Sequence, residues 1–130
     1  MMKLFLSASS LLLCCLAFSL SASANVPESL TQETVETYTV VEAANYCRTL
    51  QAPCELLAAG GQCGADVLTG WRLPSADELG WFLGLSPSQN YLWTRTVHSP
   101  ELNSFVIFSL LDGSWGWGNY EYKANVRCVR

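Results

Sequence analysis

Four cysteines constrain this chain more than any other feature: Cys47, Cys54, Cys63 and Cys128 remain once Cys14 and Cys15, in the N-terminal apolar run, are set aside. An even number of cysteines behind an export signal makes two disulfides the default expectation. Zinc is the competing use of four cysteines. The gaps of 7, 9 and 65 residues between them contain no Cys-x-x-Cys knuckle, and such a knuckle is what presents two thiolates from one turn. Four cysteines permit three pairings. Gly60-Gly61 lies between Cys54 and Cys63 and would let that short segment fold back on itself, leaving Cys47 for Cys128. The spacing alone leaves the choice open.

The export signal is read from Met1-Met2-Lys3, a short basic head, and from the nearly uninterrupted apolar stretch Leu4 to Leu20 that follows it. Ala22 and Ala24, small residues two apart, fit the narrow pocket of a signal peptidase, so cleavage is expected before Asn25. A membrane span needs ~20 apolar residues, and this stretch is shorter and interrupted by serines. A lipid anchor on Cys14 or Cys15 would want small residues before it, where Leu13 and Cys14 stand. The expectation is therefore an exported protein, periplasmic, cell-surface or secreted, with no stable membrane insertion after cleavage. Removal of residues 1–24 leaves 106 residues, and loss of Lys3 leaves six basic against eleven acidic side chains, a net charge of −5. That balance, with no polybasic tract, excludes nucleic acid as the expected partner.

Residues 25–37 are polar, contain Pro27 and read as a leader before one domain spanning 38–130. Half the chain is hydrophobic, enough to build a core. Thr39 with Glu42, and Ser75 with Glu78, form two capping boxes. They predict helices from Val40 to about Leu50 and from Ala76 to about Gly84. Val40, Ala43, Ala44, Cys47 and Leu50 fall at helical spacing, which turns Cys47 toward the core. Between the helices, Gln51 to Gly70 reads as an irregular excursion held by the short disulfide. After Pro87 the period changes to two: Tyr91–Arg95 and Phe105–Leu110 read as strands, Asp112-Gly113 as a turn, and Ala124–Val129 as the last strand. Helices first and short antiparallel strands afterwards imply an α+β fold.

Four segments carry a family resemblance: Glu42-Ala43-x-x-Tyr46-Cys47-x-x-Leu50, Gly70-Trp71-Arg72-Leu73-Pro74-Ser75-x-x-Glu78-Leu79, Tyr91-Leu92-Trp93-Thr94-x-Thr96 and Val126-Arg127-Cys128-Val129-Arg130. Together they resemble the bacterial DUF1566 family, also called the Lcl C-terminal domain after a collagen-like adhesin. That family is similar in turn to the C-type-lectin-like fold of formylglycine-generating enzymes. The resemblance covers about residues 38–130. It implies two helices on a small twisted antiparallel sheet, with one disulfide tying the first helix to the last strand, which supports Cys47 to Cys128 and Cys54 to Cys63. One departure is Gln51–Thr69, longer than the usual link and carrying the extra cysteine pair.

Catalytic machinery is sparse. The single histidine, His98, sits in Thr96-Val97-His98-Ser99-Pro100, where a solvent-exposed turn is expected. Asp77 and Glu78 stand in a first helical turn, where carboxylates satisfy free N–H groups. Arg72, between Trp71 and Leu73, is expected to be buried and forked to a carboxylate or to backbone carbonyls. No enzyme, cofactor or metal site is expected. Calcium wants 6–8 oxygen ligands, and Glu101, Asp112 and Glu121 are well separated. The Glu-Pro-Asn, Gln-Pro-Asp and Trp-Asn-Asp signatures of calcium-dependent lectins are absent, and the negative charge weakens glycosaminoglycan binding. What remains is the aromatic loop, in which Trp115 and Trp117 share a strand face and Asn119, Tyr120 and Tyr122 follow. Either these aromatics complete the core, or one or more is exposed to hold a ligand. The expected function is a non-enzymatic binding or adhesion module for a glycan or surface protein; the alternative is a minor structural subunit of a surface appendage or envelope assembly.

Overall fold

The computed structural model describes residues 29–130. The expected signal peptide, its cleavage site and the first residues of the leader lie outside the described residues. Along the chain run β1 (Ser29–Leu30), α1 (Val40–Thr49), β2 (Ala52–Pro53), β3 (Leu56–Leu57), β4 (Val67–Leu68), α2 (Ala76–Gly80), β5 (Tyr91–Ser99), β6 (Ser104–Ser109) and β7 (Trp115–Gly118). The result is a small mixed α/β domain with antiparallel pairing throughout its named strands. The pairs β1–β3 and β2–β4 form two short ribbons, and β5–β6–β7 form a three-stranded sheet.

Both capping boxes form. Thr39 Oγ1 accepts from the Glu42 N–H at 3.3 Å while the Glu42 carboxylate accepts from the Thr39 N–H at 2.9 Å. Ser75 and Glu78 make the same reciprocal pair at 3.1 and 2.9 Å. Of the residues at helical spacing, α1 buries Val40, Ala43 and Cys47, whereas Ala44 is exposed and Leu50 half-buried. Helix α2 is shorter than expected. After Gly80 the hydrogen bonds tighten to i→i−3 pairs through Leu85, and Gly84, at φ +78°, donates its N–H to the Leu110 carbonyl. That tightening carries Phe82 into the core, fully buried.

The sheet has an apolar cluster on each face. Cross-strand partners share a face, so the register Trp93↔Ile107↔Gly116 sets one side and Leu92↔Phe108↔Trp115 the other. Trp93 and Ile107 pack with Val40, Ala43, Cys47 and Val126 beneath α1. Leu92 and Phe108 pack with Leu30, Leu79, Phe82, Leu110 and Val129.

Two expectations need correction. The stretch read as a polar leader enters the fold at Ser29: Leu30 is fully buried and Thr31 nearly so. The last segment, expected to be a regular strand, instead makes isolated bridges, Ala124 with Tyr38, Asn125 with Leu92, and Val129 with both Leu30 and Arg72. The two deviations have one cause. Residues 29–38 run beside 124–130, and threonine hydroxyls take over ladder positions: Thr31 Oγ1 accepts from the Cys128 N–H at 2.8 Å and Thr34 Oγ1 from the Val126 N–H at 3.0 Å. Asn125 adds a side-chain bond to the Thr34 carbonyl at 2.8 Å. A pairing built partly from side chains satisfies the backbone without the regular register of a strand.

The disulfides pair Cys47 with Cys128 and Cys54 with Cys63, with Cα atoms 5.5 Å apart in each. The first joins α1 to the buried C-terminal segment across 81 residues of sequence. The second closes the excursion between the helices, which holds β2, β3 and β4 rather than being wholly irregular.

Candidate functional site

Strand β7 reads Trp115-Gly116-Trp117-Gly118, and alternation puts the glycines inside and the tryptophans outside. The close packing of the sheet explains the glycine at 118. A Cβ there would stand 2.8 Å from Trp93 Cη2 and 2.8 Å from Tyr122 Cδ1, closer than carbon atoms approach. Gly116 lies above Ile107 at an ordinary contact distance. With the inner face closed this way, Trp115 is 61% exposed and Trp117 51%. Both tryptophans are therefore on the surface and do not complete the core.

The hairpin that delivers β7 is held by its turn. Asp112 Oδ1 accepts from the Ser114 N–H at 2.9 Å, a bond that also draws the Asp112 carboxyl below its usual range. Gly113, at φ +78°, makes the reversal.

His98 is exposed as expected but does not lie in a turn. Strand β5 runs through it to Ser99 and stops at Pro100. Its imidazole lies parallel to Trp117, with ring centroids 5.5 Å apart and 2° between the planes, and 6.1 Å from the Trp115 ring. Val106 and Phe108 on β6 pair with Trp117 and Trp115 and form the floor. Beside them is a depression of about 300 Å³ bounded by Asp77, His98, Phe108 and Trp115. Sequence reasoning missed His98 as a member of this face. The alternation Thr94, Thr96, His98 up to Pro100 was the signal that the strand continues.

The other expected contact residues are not part of this face. Tyr120 and Tyr122 are each roughly half exposed, but they lie on the opposite side of the sheet. Tyr122 meets Trp93 edge-on at 6.0 Å and Tyr120 tilts against Phe105 at 6.1 Å. Asn119 is engaged locally: its Oδ1 accepts from the N–H groups of Glu121 and Tyr122 at 3.0 and 3.2 Å, closing the turn after β7. The five residues expected to form one patch are thus divided, with Trp115 and Trp117 on one face and the tyrosines bracing the other.

At the start of α2, Arg72 forks to the two oxygens of Glu78, and Arg95 approaches the same carboxylate at 3.3 Å. The Arg72 guanidinium, helped by the capping bond from Ser75, holds Glu78 at a pKa of about 2. The fork is as expected, but the burial is not: the Arg72 side chain is 46% exposed. The deeply buried arginine is Arg127, whose side chain is 5% exposed and reaches Glu55 at 3.2 Å.

Among the described residues no cluster of three or more His, Cys, Asp or Glu side chains could hold a metal ion, and no helix is long and apolar enough to cross a membrane. A scan against protein-family models and a search of curated proteins each returned no match.

Proposed function

We propose that this chain is an exported, non-enzymatic binding or adhesion module, a C-type-lectin-like domain of the DUF1566 kind, that captures a glycan or surface protein on the Trp115, Trp117 and His98 face. The observation that carries this reading is the pair of indoles left half or more exposed on a firm strand. An aromatic cluster of this kind on a small domain marks an interaction site, and tryptophan is the residue most enriched among binding anchors. The paired disulfides support export. The sequence segments Trp71-Arg72-Leu73-Pro74-Ser75 and Val126-Arg127-Cys128-Val129-Arg130 support the family assignment.

The contact is dispersive and apolar, so it is independent of divalent metal. The exported protein is tested on glycan and bacterial surface-protein arrays, with and without EDTA. Capture is expected to survive EDTA. Trp117→Ala is expected to weaken it by ~2 kcal/mol, about thirtyfold. Capture abolished by EDTA, or unchanged in the Trp117→Ala and Trp115→Ala variants, overturns this reading.

A further inference from the structure

One carboxylate at the start of α2 is unspent. Glu78 closes the capping box with Ser75 and takes both Arg72 and Arg95 as ion-pair partners. Its neighbour Asp77 is exposed and pairs with no cation among the described residues. Both carboxylates of this turn were expected to serve the helix start, and the fold uses only Glu78 for it. The Ala76 N–H donates to Thr96 Oγ1 at 2.8 Å, which fixes the start of α2 against β5 two residues before His98. Asp77 is thereby brought to the 300 Å³ depression that His98, Phe108 and Trp115 also bound.

This depression sets one charge beside aromatic rings. Asp77 is the only Asp, Glu, Lys or Arg that lines it, and the Trp115 indole is 61% exposed. The face of an indole attracts cations through its quadrupole. The excess of acidic residues, 11 against 7 basic, steers the same class of partner toward the surface. Asp77 opposes an anionic sugar, and a neutral sugar leaves its charge unpaired. An ammonium is a point charge, whereas a planar guanidinium stacks flat on an indole while its N–H groups fork to the two oxygens of a carboxylate. We infer, on the reading of this face as a recognition surface, that the depression takes an arginine side chain from a basic segment of a partner protein, its guanidinium over Trp115 and its N–H edge on Asp77. Of the two ligand classes, this selects the protein.

The test titrates the exported protein, labelled with ¹⁵N, with the blocked tripeptide acetyl-Gly-Arg-Gly-amide, with its Lys and Gln counterparts and with D-glucose, read by amide and indole N–H shifts. The Arg peptide is expected to give saturable shifts at Asp77, His98 and the Trp115 indole, with the Lys peptide about fivefold weaker and no saturation by the Gln peptide or glucose. Asp77→Asn keeps the size of the side chain and leaves the Ser75–Glu78 cap in place. It is expected to weaken the Arg peptide about tenfold, with the rest of the spectrum unchanged. Trp115→Ala is expected to abolish the shifts. The inference is overturned by absence of saturation with the Arg peptide, by Lys, Gln or glucose binding as tightly, or by indifference to Asp77→Asn or to Trp115→Ala. On the surface-protein array, capture that depends on Trp115 and Trp117 but not on Asp77 overturns this inference alone, whereas capture indifferent to both tryptophans overturns the recognition reading as well.

Discussion

Trp93 and Trp117 belong to one three-stranded sheet and have opposite surroundings. Trp93 is fully buried, donates its indole N–H to the Tyr38 carbonyl at 2.6 Å, and packs beneath α1. Trp117 is half exposed and has the His98 ring stacked on it. The residue type is the same; the second layer differs. Over Trp93 lies a ten-residue helix tied down by Cys47–Cys128. On the other face α2 has five residues, and the apolar cluster it joins reaches Leu92 and Phe108. A short second helix leaves the β7 end of the sheet bare. If the bare face is the recognition surface proposed above, substitutions on the covered side should cost stability and those on the bare side should cost capture.

The largest effect is expected at the clasp of the covered face. In the chain-entropy model, opening the Cys47–Cys128 loop costs about 4.5 kcal/mol and the short Cys54–Cys63 loop about 2.7. Cys128→Ser also leaves a hydroxyl at a site with no exposure. Urea unfolding should therefore place Cys128→Ser at least ~2 kcal/mol below Cys63→Ser. Equal losses would mean that α1 is held by packing alone. Next is Trp93→Ala, with an expected loss of about 3–5 kcal/mol in the same measurement. A loss below ~1 kcal/mol would erase the distinction between the two tryptophans.

Gly118→Ala tests how tightly the inner face is closed. The added methyl meets the Trp93 and Tyr122 rings at 2.8 Å, so a cost of about 1–3 kcal/mol is expected, with shifted Tyr122 ring resonances as the local sign. The smallest of these effects concerns Glu78, which braces the start of α2. Its folded pKa of about 2 lies below the ordinary carboxylate value. The stability it contributes is therefore present above the ordinary value and is lost as pH falls through about 2. Because Arg72 is nearly half exposed, solvent screening limits the contribution to on the order of 1 kcal/mol. Glu78→Gln should be less stable than wild type by that amount at neutral pH, and the gap should narrow steadily as the solution is acidified. A constant gap would mean that the Arg72 fork contributes nothing.

The elements that were legible in the sequence are those set by local chemistry. Thr39 with Glu42 and Ser75 with Glu78 announce their helices because a capping box is complete within four residues. Asp112-Gly113 announces its turn for the same reason. Gly60-Gly61 and the family resemblance together pointed to the disulfide pairing. What stayed hidden depends on distant partners. Thr31 and Thr34 look like leader residues until Cys128 and Val126 present their N–H groups to the hydroxyls. The exposure of Trp115 and Trp117 follows from where α2 ends, and the i→i−3 tightening after Gly80 has no local signature that distinguishes it from another helical turn. His98 stands beside Pro100 and reads as a turn residue, and only the pairing of β5 across β6 brings it to Trp117. Arg72 keeps its expected fork but not its expected burial for a comparable reason: flanking apolar residues indicate an apolar neighbourhood, not whether the guanidinium between them is enclosed.

The most direct test of the division between a covered, stabilising face and a bare, recognising one is the double variant Trp115→Ala with Trp117→Ala. It is measured for urea stability and for capture on the glycan and surface-protein arrays, alongside wild type. Each exposed indole lies outside the core clusters, so stability is expected to stay within about 0.5 kcal/mol of wild type per substitution, while capture is lost. A double variant that unfolds, or one that folds and still captures every wild-type ligand, would contradict it.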